Sequence, residues 1–218
     1  MYFGTAYYPE HWPEDRWEID AKMMKEANFN IARLAEFSWS KLEPEEGCFD
    51  FTWLDKAIRI LTKYGIGIVL GTPTAAPPKW LMDKNPQIYP IDNCGRKLGF
   101  GLRRHYCFNS DIYKEYTKRI VSKMAKHYKN LDCMIAWQID NELGGRCYCD
   151  NCRTAFISWL IKKYGSLENL NTEWGTVFWS QIYRSWDEII VPGSYSDEEA
   201  QLLHNPSLLL DYYRFSSD

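Results

Sequence analysis

Apolar and polar residues follow two different periods along this chain. Residues 2–8 read as a short strand closed by Pro9, which has no N–H to give a ladder. Residues 14–27 have helical spacing, with Trp17, Ala21, Met24 and Ala27 on one face and Asn28 as the stop. Residues 29–34 form a second strand. In residues 52–64, Leu54, Ala57, Ile58 and Leu61 fall at i, i+3, i+4 and i+7, and Gly65 ends the helix. Residues 66–71 are almost continuously apolar, the pattern of a strand buried on both faces. A Pro/Ala/Thr loop (72–78) and a Gly- and Arg-rich irregular stretch (85–109) follow.

Residues 111–128 are helical, with Ile112, Tyr116, Ile120 and Met124 on one face and Ser110 or Asp111 as cap. Residues 133–139 form a fourth strand. Residues 153–164 form a helix with Phe156, Trp159 and Leu160 inward, stopped by Gly165. After it come Trp174, Trp179 and Trp186, a polar loop over 192–200, and a final apolar run over 208–215 inside a plausible helix. No repeat, low-complexity tract or domain linker interrupts the pattern.

Strands alternating with helices imply a parallel sheet. Strands that end in long loops suit a (β/α)8 TIM barrel, whose chemistry sits at the C-terminal strand ends. Eight such units need about 250 residues, and only four strands are legible. The expectation is that residues 1–218 make up about the N-terminal half of the barrel of a longer polypeptide, with the rest of the barrel and any later domains outside it.

Composition narrows the function classes. Of 218 residues, 45% are hydrophobic and 25% charged, enough for one sizeable core. A net charge of −3 with no basic patch sets nucleic acid aside. No stretch approaches the roughly 18 apolar residues of a membrane span. The N-terminus has no cationic region followed by an apolar one, so a cytoplasmic protein is expected. Aromatics reach 16%. Most must serve the core, but an excess of rings also suits a site that stacks sugars.

The fourth strand delivers Asn141 and Glu142 to its own C-terminal end. Glycoside cleavage needs an acid to protonate the leaving oxygen, and in the retaining route a second carboxylate about 5 Å away. Partial burial among aromatics would help the acid hold its proton. An asparagine beside it can donate to a ring hydroxyl. The plainer alternative is that Asn-Glu caps the next helix; the strand context favours chemistry.

The runs FGTAYYPEHW (3–12), IARLAEFSW (31–39), GTPTAAPPKW (71–80), RRHYC (103–107) and WQIDNE (137–142) together resemble the β-galactosidases of glycoside hydrolase family 42. The resemblance runs the length of the chain. It implies a catalytic (β/α)8 barrel that hydrolyses terminal β-D-galactosyl residues by double displacement. It makes Glu142 the general acid/base and Asn141 its partner at the sugar 2-hydroxyl. It puts Arg33, Arg103 and Trp179 at the galactose subsite, with Arg104 as the neighbour that could be mistaken for Arg103. A structural ion pair is the competing reading for both arginines. His11, Trp12 and His105 are read as loop packing or left unassigned. The family nucleophile is a glutamate on the seventh strand, expected beyond residue 218. Neither Glu36 nor Glu43 takes that role, so the isolated piece is expected to be inactive. Family members are often homotrimers.

CYCDNC (147–152) places three thiols just after Glu142 and just before a helix, where thiolates are favoured. A closed tetrahedral zinc site needs a fourth ligand, and Cys107 is the candidate. Zinc-binding family members use this arrangement, and Cys107, Cys147, Cys149 and Cys152 match it. One structural Zn2+ per chain is therefore expected, with unliganded cysteines the alternative. An odd total of seven cysteines argues against a disulfide framework. Cys48, Cys94 and Cys133 lie outside the pattern. Two further functions stay open: a related barrel glycosidase acting on another β-glycoside, and a non-catalytic, zinc-stabilised sugar-binding module.

Overall fold

Four parallel strands carry the architecture: β1 (Gly4–Ala6), β2 (Ile31–Leu34), β3 (Gly67–Gly71) and β4 (Met134–Gln138), hydrogen-bonded in chain order. The computed structural model of the chain describes residues 1–193 and 206–218. Ala6 is level with Arg33, Leu34 with Leu70, and Gly71 with Gln138. Parallel neighbours in sequence order, each reached through helical connections, form the N-terminal half of a (β/α)8 barrel. Among the described residues β1 and β4 each pair on one side only, and Ile135 on β4 is exposed.

The residues fall into two compact units, each assembled from several segments. The first comprises Met1–Pro86, Phe100–His105 and Lys114–Gly144; the second comprises Gln87–Gly99, Tyr106–Tyr113 and Gly145–Asp218. Because the segments interleave, no single linker marks the division.

In the first unit, helix α1 (Glu14–Glu26) buries Trp17, Ala21 and Met24. Trp17 donates its indole N–H to the Pro9 carbonyl at 2.8 Å. Ala27 is the C-cap and not part of the buried face, and Asn28 takes the left-handed φ of 62° that turns the chain into β2. Helix α2 (Trp39–Leu42) is one turn. Helix α3 (Thr52–Lys63) buries Trp53, Leu54, Ala57, Ile58 and Leu61, so the expected stripe is the core face. Helix α4 (Lys79–Lys84) follows β3. Helix α5 (Asp111–Tyr128) belongs to this unit from Lys114 onward; its first residues count with the second unit, where Ser110 Oγ accepts the Tyr113 N–H at 3.3 Å, so Ser110 is the cap.

The second unit packs α6 (Asp150–Tyr164), α7 (Leu167–Trp174) and α8 (Pro206–Phe215) around Phe156, Leu160, Leu170, Trp174, Ile189, Leu208 and Tyr212. Helix α6 starts three residues earlier than the apolar spacing indicated, bringing Cys152 into its first turn. The expected polar loop over 192–200 lies outside the described residues from 194 onward. No helix of the described residues is long and apolar enough to cross a membrane.

Candidate active site and thiol cluster

The C-terminal ends of β2, β3 and β4 hold a network of charged and amide groups in the first unit. At the end of β4 the backbone turns sharply: Asp140 and Glu142 both have left-handed φ, 56° and 48°. A β-region strand does not make that turn unaided. Asp140, only 8% exposed, fixes it through both backbone and side chain. Its N–H donates to Thr72 Oγ at 2.7 Å, its Oδ2 accepts from the Thr74 hydroxyl at 2.6 Å, and its Oδ1 accepts the Asn141 N–H at 2.6 Å. Thr72 and Thr74 are buried just past β3, and the Thr72 N–H continues the ladder to the Gln138 carbonyl at 2.9 Å.

The turn sends Asn141 inward and Glu142 outward. Asn141 is buried, and its Oδ1 accepts from Gln138 Nε2 at 3.1 Å. The Glu142 side chain is 60% exposed and pairs with the Arg103 guanidinium at 2.6 Å. Burial among aromatic rings is therefore not its setting among the described residues; its left-handed backbone swings it onto an arginine. Arg104 also reaches this turn but donates to the Glu142 backbone carbonyl, while its own N–H binds the Ala75 carbonyl at 2.7 Å. The two adjacent arginines are thus separated by function: Arg103 meets the carboxylate and Arg104 braces the backbone.

Arg33, on β2, donates from Nε and a terminal nitrogen to Glu36 Oε1 at 3.0 and 2.8 Å. The Tyr8 hydroxyl donates to the same oxygen at 2.8 Å. Glu36 is fully buried, and its Oε2 has no hydrogen-bond partner among the described residues. Burial alone would lower the Arg33 pKa, but the Glu36 charge and the hydrogen bonds to Tyr8 and Glu36 together outweigh it and raise it. Tyr8 is raised by burial and by its bond to Glu36. An ion pair thus holds Arg33, whose side chain is still 38% exposed and open to a ligand. Glu43 is also fully buried, accepting from Trp39 Nε1 at 2.9 Å, from the Gly47 N–H at 2.8 Å and from Arg119. It is a packing carboxylate. His105 bonds the Leu102 and Pro77 carbonyls and fastens its loop, as expected.

Trp179 belongs to the second unit. It is 64% exposed, has a left-handed φ of 54° and stacks on Phe178 at 4.8 Å.

The second unit also holds the thiols. Cys107, Cys147, Cys149 and Cys152 have sulfur atoms all within 4.8 Å of one another. Cys107 Sγ lies 3.5 Å from Cys149 Sγ and 3.4 Å from Cys152 Sγ. Tetrahedral metal–sulfur bonds of about 2.3 Å imply sulfur–sulfur spacings of about 3.8 Å, so the set fits a metal ion. Neighbouring donors suit thiolates: the Ile91 N–H points at Cys147 Sγ (3.4 Å) and Asn109 Nδ2 at Cys152 Sγ (3.3 Å). Cys147 and Cys149 are pulled below the usual thiol range, first of all by the hydrogen bond from Cys107. Cys107 is pushed up by donating to Cys147 and Cys149. Cys48, Cys94 and Cys133 are free and stand apart.

Sequence reasoning passed over Gln138, Asp140, Thr72 and Thr74. One signal was available for Asp140: an aspartate tolerates left-handed φ and can bond the next N–H. Nothing local marks Thr72 and Thr74, whose shared partner Asp140 lies 68 and 66 residues away.

The family model described as beta-galactosidase, glycoside hydrolase family 42, matches residues 6–218. A β-galactosidase of Thermus thermophilus is 51% identical over 219 residues, covering 99% of this chain and 33% of that protein. The polyextremophilic β-galactosidase of the Antarctic haloarchaeon Halorubrum lacusprofundi is 50% identical with a TM-score of 0.94, over 100% of this chain and 32% of that one. The β-galactosidase of the psychrophilic Marinomonas ef1 is 45% identical with a TM-score of 0.93, over 100% and 33%. The chain therefore spans about a third of the length of the relatives it matches.

Proposed function

The chain belongs to the β-galactosidases of glycoside hydrolase family 42, and on that premise we propose that residues 1–218 are the N-terminal portion of a catalytic barrel that hydrolyses terminal β-D-galactosyl residues with retention. The supporting observation is the turn after β4, which seats Asn141 and Glu142 at a strand end beside Arg103. In this reading Glu142 gives its proton to the glycosidic oxygen as the bond to the anomeric carbon breaks. A second carboxylate takes that carbon as an ester. Glu142 then removes a proton from water, which displaces the ester. The second carboxylate is proposed to lie outside residues 1–218, since Glu36 and Glu43 are both committed to buried contacts and the relatives are about three times as long.

Arg33 and Arg103 are proposed to bind galactose hydroxyls, Arg103 exchanging its bond to Glu142 for one to the sugar. Asn141 is proposed to donate to the 2-hydroxyl. The subsite role of Trp179 and a trimeric assembly rest on the family resemblance alone. The four thiols are proposed to hold one structural Zn2+; four thiolates leave no open position for water. The ion would tie the loop carrying Cys107 to the start of α6.

Glu142→Gln in the complete polypeptide tests the assignment. Turnover of an unactivated galactoside should fall by about two to four orders of magnitude, as for loss of a general acid. With a nitrophenyl galactoside as substrate, azide should restore rate by replacing base-assisted water. Unchanged turnover of the unactivated substrate rules Glu142 out.

A further inference from the structure

We infer that Gln138 is a positioning residue, which fixes the side-chain amide of Asn141 so that its N–H2 end, not its carbonyl, faces substrate. This rests on the proposed role of Asn141 at the sugar 2-hydroxyl. The two ends of an asparagine amide are nearly the same shape, and only its hydrogen bonds decide which end faces where. Here the decision starts at a group with no ambiguity. The Asp140 backbone carbonyl can only accept, and it lies 2.9 Å from one end of the Gln138 amide. That end must be Nε2. The same Nε2 lies 3.1 Å from Asn141, so the atom it meets there must be an acceptor, Oδ1. Nδ2 of Asn141 is then the end left over, and it donates to no group among the described residues.

Gln138 is well placed for this task. It is the last residue of β4, level with Gly71, and its carbonyl accepts the Thr72 N–H at 2.9 Å. Its own Oε1 is buried without a hydrogen-bond partner among the described residues. An unsatisfied buried acceptor is costly. Reversing the Gln138 amide would not help, because it would set its carbonyl oxygen against the Asp140 carbonyl, which cannot donate. The tolerated cost therefore goes with a fixed orientation.

A sugar 2-hydroxyl can donate or accept, so a reversed Asn141 would still bind it but would no longer donate to its oxygen. The test compares kcat/KM for a nitrophenyl β-D-galactoside and its 2-deoxy analogue, using the complete polypeptide. Variants are Gln138→Met, which keeps the length and removes the donor, Gln138→Glu, which keeps the shape, Asn141→Ala, and the double variant Gln138→Met/Asn141→Ala. Thermal unfolding of each reports whether it folds. Both Gln138 variants should lose roughly tenfold or more of the wild-type preference for the 2-hydroxyl. Gln138→Met should add nothing in the Asn141→Ala background, a result that general damage to the fold would not give. If Asn141→Ala abolishes the preference and the folded Gln138 variants keep it, this inference fails and the role of Asn141 stands. If Asn141→Ala itself keeps the preference, the role of Asn141 fails and this inference fails with it.

Discussion

A methyl group added at Gly71 would sit 2.6 Å from Glu36 Cβ and 2.8 Å from its Cα, inside any allowed contact. Gly71 ends β3, and the backbone it presses against belongs to the buried carboxylate that holds Arg33. Gly71→Ala must therefore push Glu36 aside, and with it the arginine. Overpacking of this kind costs about 1–3 kcal/mol, to be read from the midpoint of urea unfolding. In the complete polypeptide KM for a galactoside should rise as well, because Arg33 loses its support. A loss of stability with unchanged KM would separate Glu36 from substrate binding. The glycine needs its small size here and not a special φ, which is why the sequence does not advertise it. The same holds across this site. Asn141 and Glu142 can be picked out in the sequence because they end an apolar strand. Glu36 as the mate of Arg33, three residues on, could have been paired on spacing. Thr72 and Thr74 act through Asp140, which only the parallel register brings to them, and Gln138 acts on Asp140 and Asn141 only because the left-handed turn folds them back onto it.

Elements long enough to show a period were legible, and shorter ones were not. Helices α1, α3 and α5 run 13, 12 and 18 residues, and their apolar stripes give them away. Helix α2 has 4 residues and α4 has 6, less than two turns, so no repeat can establish itself. Helix α7 is hidden for another reason: its buried residues, Leu170 and Trp174, are few, and its cap, Ser166, resembles a loop serine. What joins α6, α7 and α8 is also invisible to periodicity. Asp211, 1% exposed on α8, accepts from Lys163 and Tyr164 on α6, Trp174 on α7 and Arg214 on its own helix. Burial alone would raise its pKa, but those four donors outweigh burial and lower it. A carboxylate lowered in the folded state contributes stability above its unfolded pKa of about 3.9 and loses it as pH falls through the folded value. Asp211→Asn should cost about 1–3 kcal/mol at neutral pH, since it removes the buried charge that four donors share. It should also flatten the loss of stability of the second unit below about pH 4. Parallel acid-unfolding curves for the two proteins would show that Asp211 is not the group responsible.

At the scale of the molecule, the two units are stabilised by different means, so they should respond differently to metal removal. The first unit rests on a four-stranded ladder and on the α1 and α3 faces. Among the described residues the second has no strand, and its helices surround an aromatic core that meets the thiol loop through Tyr212, whose hydroxyl donates to the Cys147 carbonyl. Tyr148, between two of the thiols, stacks on that same tyrosine at 5.2 Å. If the thiols hold zinc, the ion fixes Cys147 and so the seat of Tyr212; without it, only thiol hydrogen bonds such as Cys107–Cys149 and Cys107–Cys152 join the sulfur atoms. Elemental analysis of the protein as purified should then find about one zinc per chain. Chelation should raise amide hydrogen exchange in residues 106–113, 145–152 and 206–215 by on the order of tenfold or more, while β1 to β4 keep their protection, as expected when one cooperative unit opens below the global transition. Cys107→Ser, which removes one ligand and little volume, should give the same exchange pattern without chelator. Metal-free protein with all four thiols titratable and these segments still protected would show that the thiol cluster packs without an ion. Uniform loss of protection over both units would mean instead that the ion supports the whole chain.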